Sequence, residues 1–342
     1  MKKRSTIRDV ASAAGVSIAT VSKFVNATQR FSADVERKIR AAIESHGYQS
    51  NPLARSMITG KTGAVGVAIL DISNPHFTSL MKGANRVALE RGYSVLFVDS
   101  EESQSREYEL LKTLSQRVDG ILIASRISDA QIARIQAFGK PIVFLGRVAS
   151  AGIPSLGGDG RLGGSMLGEL LVKQGHKRIA YLGFAPAQPD RNRMRGLGEY
   201  LRKHRLDLVR FEARAPVSAE GERVCSAIML SKGRPDALVC YNDLLALGFM
   251  QEARVLGFDV PRDLSVAGFD NIVFGRFTSP GLTTVDLQSE RMGEEGIRML
   301  LRAIAGEPAG ETGAVGGHLV LAPRLVVRES TAERNSSRRR AK

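Results

Sequence analysis

Long apolar runs are missing from this chain of 342 residues. With no stretch of 18 or more apolar residues, a membrane-spanning helix of ordinary length is excluded, and no membrane partner is expected. The opening MKKRSTIRDV is basic but has no apolar segment behind it. It does not read as a secretory leader, and a cytoplasmic location at the nucleoid is expected. Cysteine is scarce. Cys225 and Cys240 are the only two, and their spacing suits neither a metal site nor a redox pair, so buried reduced thiols are expected. Enzyme signatures are lacking too. There is no G-x-S-x-G and no H-E-x-x-H, and the five histidines are scattered, so no catalytic residues, metal or cofactor are expected.

Positive charge is present in excess: 49 Lys and Arg against 35 Asp and Glu, a net +14. It is concentrated at the ends. Residues 1–60 carry +6 and residues 331–342 carry +4, leaving +4 for the 270 residues between. A basic, helix-patterned N-terminal block points to a polyanion, nucleic acid before membrane. The end NSSRRRAK reads as a disordered basic tail over 331–342.

Periodicity divides the rest. In residues 5–47, Ile7, Val10, Ala11 and Ala14 fall on one helical face, with a Thr6/Asp9 capping box in front and Gly15 as a stop. Ser17 caps a second helix that turns Val21, Phe24 and Val25 inward. Ser32 caps a third, with Val35, Ile39 and Ile43 inward and Gly47 at its end. Helix, tight turn, helix and a supporting helix make a helix-turn-helix headpiece over residues 1–49. Residues 50–63 form a linker in which Asn51, Pro52 and LARSM would make a helix of under two turns, too short to persist alone.

From residue 64 apolar runs alternate with amphipathic helices. The strands expected are AVGVAIL, YSVLFV, GILIA, PIVFLG, RIAYLG, DALVCY, LSVAGF and a last one near HLVLAPRLVV. Helices are expected at 77–91, 106–117, 161–174, 191–203, 243–255 and 290–304. Alternation implies parallel sheets covered on both faces, and residues 64–330 are about twice one such sheet. The expectation is an α/β core of two doubly wound subdomains with a ligand cleft between them, beyond the strand C-termini.

These residues carry a resemblance. IRDVASAAGVSIATVSKFVN, the spacing to GYQSNPLARSM, and VCYNDLLALGFMQEARVLGFDVPRDLSVAGFDN resemble the lactose-repressor-type (LacI/GalR) transcription regulators over about residues 5–330. The resemblance implies a periplasmic-binding-protein-like core and a DNA-binding repressor of a carbohydrate-use operon. It also implies a homodimer on a palindromic operator in double-stranded DNA, controlled by a small effector.

With the second helix's inner face occupied, Ile18, Ala19, Ser22, Lys23 and Asn26 lie on the opposite one. Ile18 and Ala19 match the family's specificity pair and, being apolar, suit thymine methyls. Lys23 suits guanine O6 and N7, without the rigid fork of Arg. Thr6, Ser17, Thr20, Ser22 and Asn26 are short donors suited to phosphates. The rival reading has Ile18 packed inside. In the linker, Asn51, Ala54, Arg55 and Met57 match the family's minor-groove element, with Met57 in the place of its usual Leu wedge and Ser50 in that of a proline.

By match, His76, Phe77, Arg193, Asn242 and Asp270 face the effector, a convergence of donors and acceptors that suits a polyol. Arg147, and Arg126 with it, end strands, and extra arginines there favour a sugar acid or sugar phosphate. Two other classes compete. A sugar-binding transport module fits the core but not the headpiece. A nucleotide-dependent oxidoreductase fits Gly158, Gly160 and Gly163, a literal G-x-G-x-x-G, but IPSL before it is a weak strand and the next strand ends YLGF without the required acid. These glycines read as a helix start.

Overall fold

The computed structural model describes residues 5–25, 29–48, 60–127, 129–146, 152–307 and 317–334. The chain divides into two compact units, residues 1–63 and 64–342. Each has a separate hydrophobic cluster, so neither borrows its core from the other.

In the first unit, α1 (Ile7–Ala14) starts where the Asp9 carboxylate accepts from the Thr6 N–H at 2.7 Å and from the Thr6 hydroxyl at 2.8 Å. Gly15 ends it in the left-handed region, at φ 65°, where a side chain would be strained. Helix α2 (Ile18–Val25) is capped by Ser17, whose hydroxyl accepts from the Thr20 N–H at 3.0 Å. Helix α3 (Ala33–His46) differs in detail from expectation: Ser32 stands at its N-cap in extended backbone, but its hydroxyl makes no capping bond. Val10, Ala14, Val21 and Ile39 are buried together, with Phe24, Val25, Val35 and Ile43 packed on them.

The second unit holds two six-stranded sheets. The first comprises β1 (Ala64–Ile69), β2 (Ser94–Asp99), β3 (Ile121–Ala124), β4 (Ile142–Leu145), β5 (Ser155–Gly158) and β11 (His318–Leu321). Its order is β11-β5-β4-β3-β1-β2, all parallel. The second comprises β6 (Ile179–Gly183), β7 (Leu208–Glu212), β8 (Ala237–Cys240), β9 (Ser265–Phe269), β10 (Thr283–Asp286) and β12 (Arg324–Val326). Its order is β12-β10-β9-β8-β6-β7, parallel except for β12. Both sheets follow the doubly wound 2-1-3-4-5 order, which opens a crevice between its first and third strands at their C-terminal ends.

The connecting helices are α4 (Pro75–Glu90), α5 (Gln104–Ser115), α6 (Asp129–Gln136), α7 (Gly160–Lys173), α8 (Gln188–Lys203), α9 (Ser218–Met229), α10 (Asp243–Val255) and α11 (Ser289–Ala305). Helices α6 and α9 and strands β7 and β10 were not expected from the sequence. The weak IPSL run proves to be the way into β5, a full parallel strand. The expected single strand HLVLAPRLVV is two. It breaks at Ala322–Pro323, where β11 leaves one sheet and β12 joins the other. The chain therefore crosses between the sheets three times, after β5, β10 and β11.

Three helix pairs touch backbone to backbone through reciprocal glycines. A Cβ on Gly164 of α7 would lie 2.1 Å from the Arg193 carbonyl, and one on Gly196 of α8 would lie 1.8 Å from that of Arg161. Gly83 with Gly293, and Gly221 with Gly248, do the same for α4/α11 and α9/α10. Gly158, Gly160 and Gly163 belong to this close packing: Gly160 abuts Arg193 and Gly163 abuts Val285.

The expected tail does not begin at residue 331. Thr331 hydrogen-bonds Thr283 at 2.9 Å, the Arg334 N–H donates to the Gln174 carbonyl at 2.8 Å, and the Arg334 guanidinium pairs with Asp236 at 2.7 Å. Packing of β12 beside β10 carries the chain onto these groups. Residues 335–342 lie outside the described residues.

Candidate ligand cleft and nucleic-acid interface

The headpiece offers one face outward. Val21 is fully buried, while Ile18 is 44% exposed, which excludes the reading that Ile18 packs inside. Ser17, Ala19 and Lys23 are also exposed, and Thr20 and Ser22 are half-buried. Several short donors have local partners. The Thr6 hydroxyl donates to Asp9, and Ser17 and Thr20 share a hydroxyl bond of 2.8 Å. Lys23 Nζ donates to Gln29 Oε1 at 3.0 Å. Asn26, Asn51, Ala54, Arg55 and Met57 lie outside the described residues.

In the core, a cleft of about 640 Å³ opens between the sheets. Strand C-termini line it: Leu70 after β1 and Ala124 to Arg126 after β3 on one side, Tyr241 and Asn242 after β8 and Asp270 after β9 on the other. His76, Phe77, Arg193, Asn242 and Asp270 meet here. Arg147 lies outside the described residues.

Arg193, 5% exposed, is the centre of the wall. One guanidinium nitrogen donates to Asp270 Oδ1 at 3.2 Å and the other to the Tyr241 carbonyl. The Tyr241 and Phe269 rings lie 4.5 and 4.8 Å from it. Its Nε is buried with no hydrogen-bond partner among the described residues. Burial works against the charge, but Asp270 and the surrounding oxygens hold Arg193 above its ordinary pKa.

Asp270 adopts a φ of 103°, a left-handed conformation that costs a non-glycine residue on the order of 1–3 kcal/mol. The Asp243 carboxylate holds the turn. It is fully buried and accepts from the Ile272 N–H at 2.9 Å and the Thr284 hydroxyl at 2.6 Å. Burial, with Asp270 nearby, pushes Asp243 well above the usual carboxylate range.

On the facing wall, Nδ1 of His76 shares a 2.7 Å hydrogen bond with Ser289 Oγ and lies 4.0 Å from Asp270 Oδ1. Burial lowers its pKa; Asp270 opposes this, while Arg193 and Arg126 add to it. Phe77 is buried beside it, its ring edge-on to the imidazole. Arg126 forms a bidentate pair with Glu102, at 2.8 and 3.0 Å, and reaches to 5.5 Å from the Phe184 ring of the other sheet. Arg161 and Arg195, at the rim, both pair with Glu199. Every arginine that lines the described cleft thus has a carboxylate partner.

Asn242 stands at the cleft wall with its amide engaged. Oδ1 caps α10 through the Leu245 N–H at 2.9 Å, and Nδ2 donates to the Pro216 carbonyl at 2.8 Å. Sequence reasoning missed Glu102, Asp243 and Tyr241. Asp243 adjoins Asn242 in the same dipeptide, but its role depends on Thr284, 41 residues away. Elsewhere Cys225 and Cys240 are buried free thiols, and burial pushes Cys225 up to about 12, which leaves it unreactive. No described helix is long and apolar enough to cross a membrane.

A helix-turn-helix unit joined to two parallel sheets around a polar cleft defines a class: regulators built on a periplasmic-binding-protein-like core. Residues 6–51 match the family model for bacterial regulatory proteins of the lacI family, and residues 169–331 match that for a periplasmic binding protein-like domain. The ribose operon repressor of Halalkalibacterium halodurans is 30% identical over 329 residues, 96% of this chain and 97% of that protein. The HTH-type transcriptional repressor PurR of Serratia proteamaculans is 29% identical over 96% of this chain and 97% of that protein. The chain belongs to the lacI family. The lac repressor dimer, solved bound to operator and the anti-inducer ONPF, superposes with a TM-score of 0.84 at 28% identity, covering 96% of this chain and all of that one. A LacI family regulator from Enterococcus faecium with bound ribose gives 0.70 at 25% identity, over 80% of this chain and all of that one.

Proposed function

We propose that the chain is a sequence-specific DNA-binding repressor whose operator affinity is set by a small neutral sugar held in the cleft. The observation that carries the first half is the outer face of α2, where Ile18, Ala19 and Lys23 stand exposed over a filled inner face. A helix presented this way fits a major groove, its apolar pair against thymine methyls and Lys23 toward guanine. Asn51, Ala54, Arg55 and Met57 are assigned to the minor groove by their match to the family, and residues 50–63 to the hinge. Thr6, Ser17, Thr20, Ser22 and Asn26 are assigned to phosphates. The protein acts as a homodimer in the cytoplasm and catalyses no reaction. Exposed Leu96 and Phe97 on edge strand β2, and exposed Phe274 and Phe277, supply apolar surface for a second copy.

The cleft argues for a neutral effector over the sugar acid that its arginines first suggest. An anion needs unpaired positive charge, and both buried arginines of the wall are matched one to one, Arg126 by Glu102 and Arg193 by Asp270, while Arg161 and Arg195 at the rim share Glu199. Buried carboxylate–guanidinium pairs present both donors and acceptors, as vicinal hydroxyls require. Asp270, Arg193 and the unpartnered Arg193 Nε would hold hydroxyls from one sheet, with His76 and Phe77 on the other. A ligand that bridges both walls favours one closure angle, and so couples to DNA reciprocally.

The test is selection of full-length protein against randomised duplexes, with thermal-shift screening against neutral sugars and sugar acids. A palindromic consensus, and melting raised by a neutral sugar, are expected. A melting shift with no enriched sequence would instead indicate a binding module without DNA regulation. A shift restricted to sugar acids would overturn the neutral assignment.

A further inference from the structure

The core has a second basic feature, apart from the headpiece and the cleft. In a parallel α/β sheet every helix-to-strand loop emerges at the strand-start edge, opposite the ligand crevice. In the second sheet these are residues 173–178, 202–207, 230–236 and 256–264, and antiparallel β12 returns residues 332–334 to the same edge. Together they hold ten Lys and Arg against five acids, a net +5. Residues 61–334 as a whole carry only +4, so the rest of the core is slightly acidic.

Helix C-termini attract cations, and that alone would put some charge here. The first sheet is the control. Its loops at 89–93, 114–120 and 136–141 end helices in the same way, yet hold three cations against two acids. Partnering gives a second contrast. Most cleft and helix-face arginines pair with carboxylates. Lys177, Arg178, Arg202, Lys203, Arg205 and Lys232 are exposed and make no ion pair among the described residues. Arg334 is anchored at this edge by the Gln174 carbonyl and Asp236.

We infer that this edge of the second sheet is a polyanion-binding surface whose partner is the phosphate backbone of duplex DNA, bound without sequence preference. Lysines and arginines on separate loops, with no base-reading helix among them, neutralise phosphates and release counterions but read no bases. A repressor with such an edge holds a second DNA segment, or flanking DNA, by a contact independent of operator sequence.

The inference is independent of the headpiece's role, because the core has its own hydrophobic clusters and is tested alone. Residues 64–342 are titrated with a fluorescent duplex of roughly 30 base pairs, long enough for several phosphate contacts, across a range of salt. Binding at low salt with a steep linear fall of log K against log salt is expected. The variant Lys177→Gln/Arg178→Gln/Lys203→Gln/Arg205→Gln should lower that slope by about 3.6, at about 0.9 per lost phosphate contact. Its melting temperature should be unchanged, since these side chains are exposed. Truncation after Arg334 should leave binding at low salt in place. The inference is overturned by absence of DNA binding at low salt, by an unchanged slope in the quadruple variant, or by loss of binding on truncation alone. Binding to vesicles of anionic phospholipid with none to DNA would overturn it equally.

Discussion

Arg193 illustrates how much a single residue depends on others far off in sequence. Its guanidinium is held by the Tyr241 carbonyl, Asp270 and two aromatic faces, and so cannot swing away when the cleft is empty. Arg193→Ala is expected to abolish the effector-dependent change in operator affinity and leave operator binding intact; calorimetry should show effector affinity lost by at least tenfold. Asp270 is left buried in that variant, so a stability loss of about 1–3 kcal/mol is expected in urea unfolding. On the headpiece, Lys23→Ala should cost about 1–3 kcal/mol at the cognate operator and relax preference at one base pair; an equal loss on every duplex would make it a phosphate contact. His76 gives a pH dependence. Burial lowers its native pKa below its ordinary 6.5, so the unfolded chain takes up a proton that the folded chain resists. Stability should be full above about pH 6.5 and fall as pH drops from there through the lower native value. Facing groups Asp270, Arg193, Arg126 and Ser289 come from four elements, and His76→Gln should flatten this fall in urea midpoints taken at low and neutral pH. The identities of His76, Phe77, Arg193 and Asp270 were legible through motif matches. Their partners were not, because Glu102 and Asp243 act across loops that no local pattern connects.

The helices and central strands were legible wherever burial made a strong period. Of the five headpiece landmarks, Thr6, Gly15, Ser17 and Gly47 stand at helix ends as their chemistry demands, while Ser32 holds the N-cap position without a capping bond. Central strands β1, β3, β6 and β8 are apolar runs because helices cover both faces. Edge strand β7 is half exposed, mixed in composition and invisible to that criterion. Strand β10, TTVD, is largely buried, with the Thr283 hydroxyl bonded to the Thr331 hydroxyl and the Arg328 backbone and the Thr284 hydroxyl donating to Asp243, so its polarity concealed it. The glycines mark the contact lines of helix pairs. Gly164→Ala places a methyl against the Arg193 carbonyl, and α7 and α8 must separate. A loss of about 1–3 kcal/mol in chemical denaturation is expected, together with weaker effector binding, because the displaced turn carries Arg193. A substitution that lowered stability but left effector affinity unchanged would separate the packing from the site.

At the scale of the molecule, the helix-turn-helix and the cleft reside in two units with separate buried clusters. Deleting residues 1–60 should abolish specific operator binding and spare the effector-induced rise in melting temperature; survival of both would remove the headpiece from DNA recognition. The sequence by itself determined the helix-turn-helix headpiece, the parallel α/β class of the core, and the outward face of α2. These follow from period, composition and capping, which act within a few residues of one another. Tertiary structure decided the rest. It split HLVLAPRLVV between two sheets, because a strand's partner depends on which edge is open. It paired the buried arginines Arg126 and Arg193 with Glu102 and Asp270, because segments distant in sequence converge there. It gathered cations from four loops onto one edge, because parallel strands bring all helix-to-strand turns to the same end. Charge was visible in the sequence as a total, but what that charge faces is a property of topology.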